Sequence, residues 1–212
     1  MAKNINALWG AISGKIGNLV WYIRHGIQYI RIKPAKYHDK KSPEQLAQRK
    51  RMAACQALYH TYKDTIFRPI WNKKAVGKSG YNLFLHFNTM MFDGKGNIAD
   101  YDNLKIAIGD LPLPTNITAS ITDEGKSGIG INWTDNSDEC LASPTDILRI
   151  VVICRKNRAK LDKLLAQRQD EQAIIQLPFI PDDTVHLYVF FQNIDKSAYS
   201  DSIHVPVEIS LS

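Results

Sequence analysis

Between Asp110 and Pro114 the sequence reads Asp-Leu-Pro-Leu-Pro, and the spacing of apolar residues changes across that stretch. Prolines at 112 and 114 each fix φ at about −65°, remove a backbone donor and push the preceding residue into extended conformation. Neither a helix nor a centrally paired strand passes through such a point. Upstream, Met52, Cys55, Tyr59, Tyr62 and Ile66 recur at helical spacing. Downstream the period is two: Ile129, Ile131 and Trp133 alternate, as do Val185, Leu187, Val189 and Phe191, with Tyr188 on the opposite face. An α+β chain is expected, with a module of one β-hairpin and two helices over residues 1–110 and an all-β domain over residues 111–212.

The hairpin comes first. Residues 16–24 and 27–33 are two runs rich in β-branched and aromatic residues, separated by His25 and Gly26. Glycine supplies the positive φ that a two-residue hairpin loop requires. With that loop, Tyr22 pairs with Tyr29, Trp21 with Ile30 and Leu19 with Ile32. Leu19, Trp21, Ile23, Ile30 and Ile32 then share an apolar face, and Tyr22, Arg24, Tyr29 and Arg31 share the other, with Lys33 beyond them. Ser42-Pro43-Glu44-Gln45 opens a helix, with serine at the cap, proline at the first helical position and glutamine at the third. A second helix is expected from about Gly80 to Met91. A lone hairpin is only marginally stable in water, so its apolar face must pack on these helices or on a partner.

After Pro114, strands are expected near 115–121, 128–134, 147–154, 173–178, 184–193 and 202–209, with a short helix at Leu161 to Gln167. The number and alternation of these strands, with Trp133 directed inward on the second, resemble an immunoglobulin-like sandwich of the fibronectin type III kind. That resemblance is one of architecture and implies no activity.

Charge is distributed unevenly. Residues 1–90 hold 16 Lys and Arg against 3 Asp and Glu, whereas residues 91–212 hold 11 against 18. A basic half and an acidic half speak about partners. Lys40, Lys41, Arg49, Lys50 and Arg51 add to the hairpin cations. Arginines interleaved with exposed tyrosines suit the phosphates and bases of single-stranded nucleic acid, and equally an acidic protein surface.

Other chemistries lack their motifs. The six histidines (25, 38, 60, 86, 186 and 204) show no metal-ligand spacing, and the three cysteines (55, 140 and 154) show no C-x-x-C. Gly10, Gly14, Lys15 and Gly17 do not match the phosphate-loop spacing. No apolar run approaches the roughly 18 residues of a membrane span, and the first residues lack a secretory pattern. No catalytic, metal or cofactor site and no small-molecule substrate is expected, and no membrane partner. The expected location is the cytoplasm or an assembled particle.

Several short blocks run through the chain: Ser13-Gly14-Lys15-Ile16-Gly17, Ser42-Pro43-Glu44-Gln45 with Arg49, Ser79-Gly80-Tyr81-Asn82-Leu83-Phe84, Leu111-Pro112, Trp133 and Ser200-Asp201-Ser202. In these the chain resembles a family of uncharacterised Bacteroidota proteins, while the charged segment 156–172 departs from the family pattern. Its Pro-x-Gln…Arg and Ser-Gly-x-Asn-x-Phe blocks are similar to those of small phage and prophage proteins. The resemblance implies a layout and no reaction. The functional expectation is a non-enzymatic structural or interaction protein, a component of an assembled particle, that uses its basic module to dock on a protein partner or on another copy. The second expectation is an intracellular nucleic-acid-binding protein using the Tyr/Arg face.

Overall fold

The computed structural model describes residues 2–4, 13–24, 26–36, 39–122, 128–154, 163–177 and 184–207. They divide into two compact units, Met1–Ser42 and Pro43–Ser212.

The first unit is a four-stranded antiparallel sheet of β1 (Ala2–Asn4), β2 (Gly14–Ile16), β3 (Leu19–Arg24) and β4 (Ile27–Ile32), in the order β1-β4-β3-β2. The β3–β4 register is the one the sequence predicts, with Tyr22 opposite Tyr29, Trp21 opposite Ile30 and Leu19 opposite Ile32. Gly26 takes φ +73° in the turn; its expected companion His25 lies outside the described residues. Two strands were not expected. Gly17, at φ +57°, turns the chain back so that Gly14–Ile16 pairs with Leu19–Trp21, and β1 lines the other edge.

In the second unit, α1 (Pro43–Thr61) starts at the proline that the capping pattern marks. Residues 63–67 then form a π-type turn, in which the Phe67 amide reaches the Tyr62 carbonyl at 3.0 Å. Pro69 sits in the first turn of α2 (Arg68–Lys74), where its missing N–H breaks no bond. α3 (Gly80–Asn88) follows, its first turn capped by Ser79, whose hydroxyl accepts the Asn82 amide at 3.2 Å. The Ser-Gly-Tyr-Asn-Leu-Phe block is therefore a capped helix start that delivers the buried Phe84.

Among the described residues, seven strands follow in the unit: β5 (Thr115–Thr122), β6 (Gly128–Thr134), β7 (Ile147–Cys154), β8 (Lys163–Gln167), β9 (Gln172–Gln176), β10 (Val185–Gln192) and β11 (Ile203–Val207). They form two antiparallel sheets, ordered β5-β6-β9 and β11-β10-β7-β8. Of the expected helix at 161–167, residues 163–167 form strand β8 instead, and 161 and 162 lie outside the described residues. The Leu-Leu-Ala run favours a helix, but pairing with β7 overrides the local preference.

One core lies between the sheets, where Ile129, Ile131 and Trp133 meet Leu148, Ile150, Leu187 and Phe191. The alternate residues of β7 and β10, among them Val151, Ile153, Tyr188 and Phe190, enter a second core with Tyr59, Phe67, Trp71 and Phe84 of the helical segment. A strand covered on both faces reads as a continuous apolar run, as residues 150–153 do. The compact division falls after Ser42, and Pro112 and Pro114 lie within the second unit. Val151, Ile153, Tyr188 and Phe190 make the middle of the outer face of β7 and β10 apolar, so it needs a cover, and the helices supply it. Tyr62 donates its hydroxyl to the Val152 carbonyl at 3.4 Å, and Trp71 its indole N–H to the Ile106 carbonyl at 3.0 Å.

The Ser200-Asp201-Ser202 block is a clamp. Ser202 Oγ accepts the amides of Ile106 and Ala107 at 3.0 and 3.2 Å, Asp201 accepts that of Gly109 at 3.0 Å, and Ser200 Oγ accepts that of Phe191 at 2.8 Å. Backbones approach so closely here that a Cβ on residue 109 would lie 1.7 Å from the Tyr199 carbonyl oxygen. Gly109→Ala is expected to cost about 1–3 kcal/mol by overpacking, read as a lower midpoint in urea unfolding.

Candidate docking surface

The first unit is cationic as a whole, with eight Lys and Arg against Asp39 alone in residues 1–42. Its pleat sorts side chains onto two unlike faces. On one, Tyr22 and Tyr29 stack at 5.4 Å between ring centroids and 16° between planes, and both rings are half-buried. Arg24 and Arg31 share this face by register and are exposed. Two cations thus flank a flat aromatic pair. On the other face Ile16 is 61% exposed, Leu19 38%, Ile23 44% and Ile32 73%, beside the half-buried Trp21 and Ile30. Among the described residues of this unit only Gln28 is fully buried.

The remaining basic residues hold separate places. Lys33 is exposed, and its amide closes the strand end on the Asn18 carbonyl at 2.7 Å. Lys40 is exposed; Lys41 takes φ +47° and its amide donates to Asp39 at 3.2 Å. Arg49, Lys50 and Arg51 belong to the second unit. Arg49 and Lys50 are exposed on α1, whereas Arg51 is half-buried and its Nε donates to the Phe92 carbonyl at 3.1 Å. Arg51 therefore ties α1 to the chain after α3.

A second constellation was not visible in the sequence. His186 on β10 and His204 on β11 share no metal-ligand spacing, yet His186 Nδ1 lies 2.9 Å from His204 Nε2, and His204 Nδ1 lies 2.6 Å from an Asp102 oxygen. The available signal was parity, because His186 and Tyr188 are two apart on one strand and His204 pairs with Tyr188 across the ladder. Among the described residues no group of three His, Cys, Asp or Glu is arranged to hold a metal ion. The Cys55 thiol is buried, and that burial pushes its pKa up to about 11, so it stays protonated at neutral pH.

These features define an α+β protein with a basic, two-faced N-terminal sheet and a larger unit of helices on paired antiparallel sheets. Residues 11–206 match the family of unknown function DUF6266, and the chain belongs to that family. The match spans every sequence block quoted above, from Ser13 to Ser202. No curated protein matches the chain significantly. No helix among the described residues is long and apolar enough to cross a membrane.

Proposed function

We propose that the chain is a non-enzymatic assembly protein whose N-terminal sheet docks on further copies of itself, as a component of an assembled particle of the virion-like kind its sequence blocks point to. The observation that carries this reading is the apolar face of the sheet, where Ile16, Leu19, Ile23 and Ile32 are all more than a third exposed. Contiguous apolar patches beyond a few hundred Å² on a soluble chain mark contact surfaces. Charge supports a copy as the occupant. Residues 1–42 carry a net +7; residues 91–212 carry a net −7 within a second unit that is close to neutral overall, so the basic sheet of one copy attracts the acidic strand segment of another. Head-to-tail contacts of this type generate rings or filaments. The paired sheets are read as a fibronectin type III-like sandwich, on the strength of their strand order and of Trp133 in the shared core.

Single-stranded nucleic acid is the second reading, favoured by the stacked Tyr22–Tyr29 pair between two exposed arginines. One pair of measurements separates the two. Ile16→Thr with Ile32→Thr on the apolar face, and separately Arg24→Glu with Arg31→Glu on the other, should reduce the mass of the species seen by sedimentation, with the melting temperature nearly unchanged and no salt-dependent gel shift of single-stranded DNA in any of these proteins. A monomeric wild type with a steep salt-dependent shift would replace assembly by nucleic-acid binding. Reversals that alter neither would remove the Tyr/Arg face from function.

A further inference from the structure

We propose that Asp102, His204 and His186 form an acid-labile latch that holds the segment 99–104 against β10 and β11. This rests only on the second unit and stands apart from the docking reading. The three groups form a chain of hydrogen bonds, 2.6 Å from Asp102 to His204 and 2.9 Å from His204 to His186. His204 is nearly closed to solvent, its side chain 6% exposed, while Asp102 is 86% exposed. The Tyr101 ring lies flat on His186, with 3.5 Å between centroids and 7° between planes, and the Tyr188 hydroxyl donates to the Tyr101 carbonyl at 2.8 Å. Segment 99–104 is thereby fastened through two consecutive residues.

Proton arithmetic makes the fastening sensitive to acid. With His204 Nδ1–H donated to Asp102, the inter-ring contact holds when the pair carries no extra proton, because His186 Nδ1–H donates to His204 Nε2. One added proton still leaves a donor facing a lone pair, and Asp102 offsets its charge. A second proton sets N–H against N–H at 2.9 Å and places two cations side by side. The contact cannot persist in that state. Among the described residues, Tyr101 of the segment stacks on His186, Tyr188 of β10 packs on His204, and the Asp100 carboxylate of the segment lies within electrostatic reach of Tyr188. Hydrogen bonds from the Asn103 side chain and backbone lower the Asp100 pKa, and burial raises that of Tyr188, so Asp100 stays charged and Tyr188 neutral across the histidine range. The sign follows. Below the ordinary histidine pKa of about 6.5 the unfolded chain binds two protons on this pair and the latched state at most one, so latching weakens as pH falls.

Amide hydrogen exchange of the full chain between pH 7 and pH 5, corrected for the intrinsic pH dependence of exchange, tests this. Exchange at residues 101–104 should rise about tenfold or more on acidification in the wild type, in step with the second proton taken up by His186 and His204 in imidazole NMR spectra. His186→Gln should flatten the response, and His60→Gln, at an exposed position, should leave it intact. Exchange at 101–104 that ignores pH in the wild type overturns the latch, as does an undiminished acid response in His186→Gln. Should that variant fail to fold, the wild-type comparison of exchange with proton uptake decides alone.

Discussion

Arg168→Ala is expected to destabilise the second unit by about 3–5 kcal/mol, because it leaves a buried carboxylate without its counter-charge. Arg168 is fully enclosed, and its guanidinium donates to Asp146 through Nε at 3.3 Å and Nη2 at 3.2 Å. Nη1 donates to the Asn136 side chain, and Nη2 also to the Pro112 carbonyl at 3.0 Å. The group lies 4.6 Å from the centroid of Phe191. One side chain thus joins the loop between β6 and β7, the proline-rich segment that enters β5, and the core face of β10. The Leu111-Pro112 block owes its place partly to this contact. Asp146→Asn added to Arg168→Ala should restore part of the loss, since a neutral amide is cheaper to leave buried than a carboxylate. Urea denaturation of the two variants measures both effects. A loss below about 1 kcal/mol for Arg168→Ala would mean that Asp146 finds water or another partner.

Trp133→Ala should cost about 3–5 kcal/mol by removing the largest side chain from the core between the two sheets. Trp133 is 4% exposed, its ring packs edge-on to Phe191 at 5.9 Å, and its indole N–H donates to the Arg168 carbonyl at 2.7 Å. Phe191, against which both the indole and the Arg168 guanidinium pack, couples the two substitutions. The double variant Trp133→Ala/Arg168→Ala should therefore lose less than the sum of the single losses, by about 0.5–3 kcal/mol. Strict additivity would show that the two groups act independently. An unperturbed melting curve for Trp133→Ala would remove the core role of this residue, and with it the fibronectin-like reading.

Where local chemistry decides structure, the residues foretold it. The β3–β4 register follows from Gly26 and the alternation on either side of it, and α1 begins where Ser42-Pro43 places it. Elements that depend on distant neighbours were less legible. Leu164-Leu165-Ala166 has helical preference, and only the edge of β7 makes it a strand. The layering was written in Ile147–Cys154, whose apolar residues at both parities require cover on both faces, but the sequence does not say that α1 to α3 provide it. The candidate surface divides in the same way. Pleat parity groups Tyr22, Arg24, Tyr29 and Arg31, whereas the backbone engagement of Arg51 depends on Phe92, 41 residues further on. His186, His204 and Asp102 come from three segments that only the β10–β11 ladder and the return of the chain at 99–104 bring together.

Hydrogen exchange of the full chain, followed from dilute to concentrated solution, tests most directly whether the N-terminal sheet is the docking element. Protection of the amides in β2, β3 and β4 should rise with concentration, together with the sedimenting mass, and the rise should be lost in Ile16→Thr/Ile32→Thr and weakened in Arg24→Glu/Arg31→Glu. A sedimenting mass that stays at the 24.0 kDa of a single chain while those amides exchange at one rate throughout would contradict self-docking through this sheet.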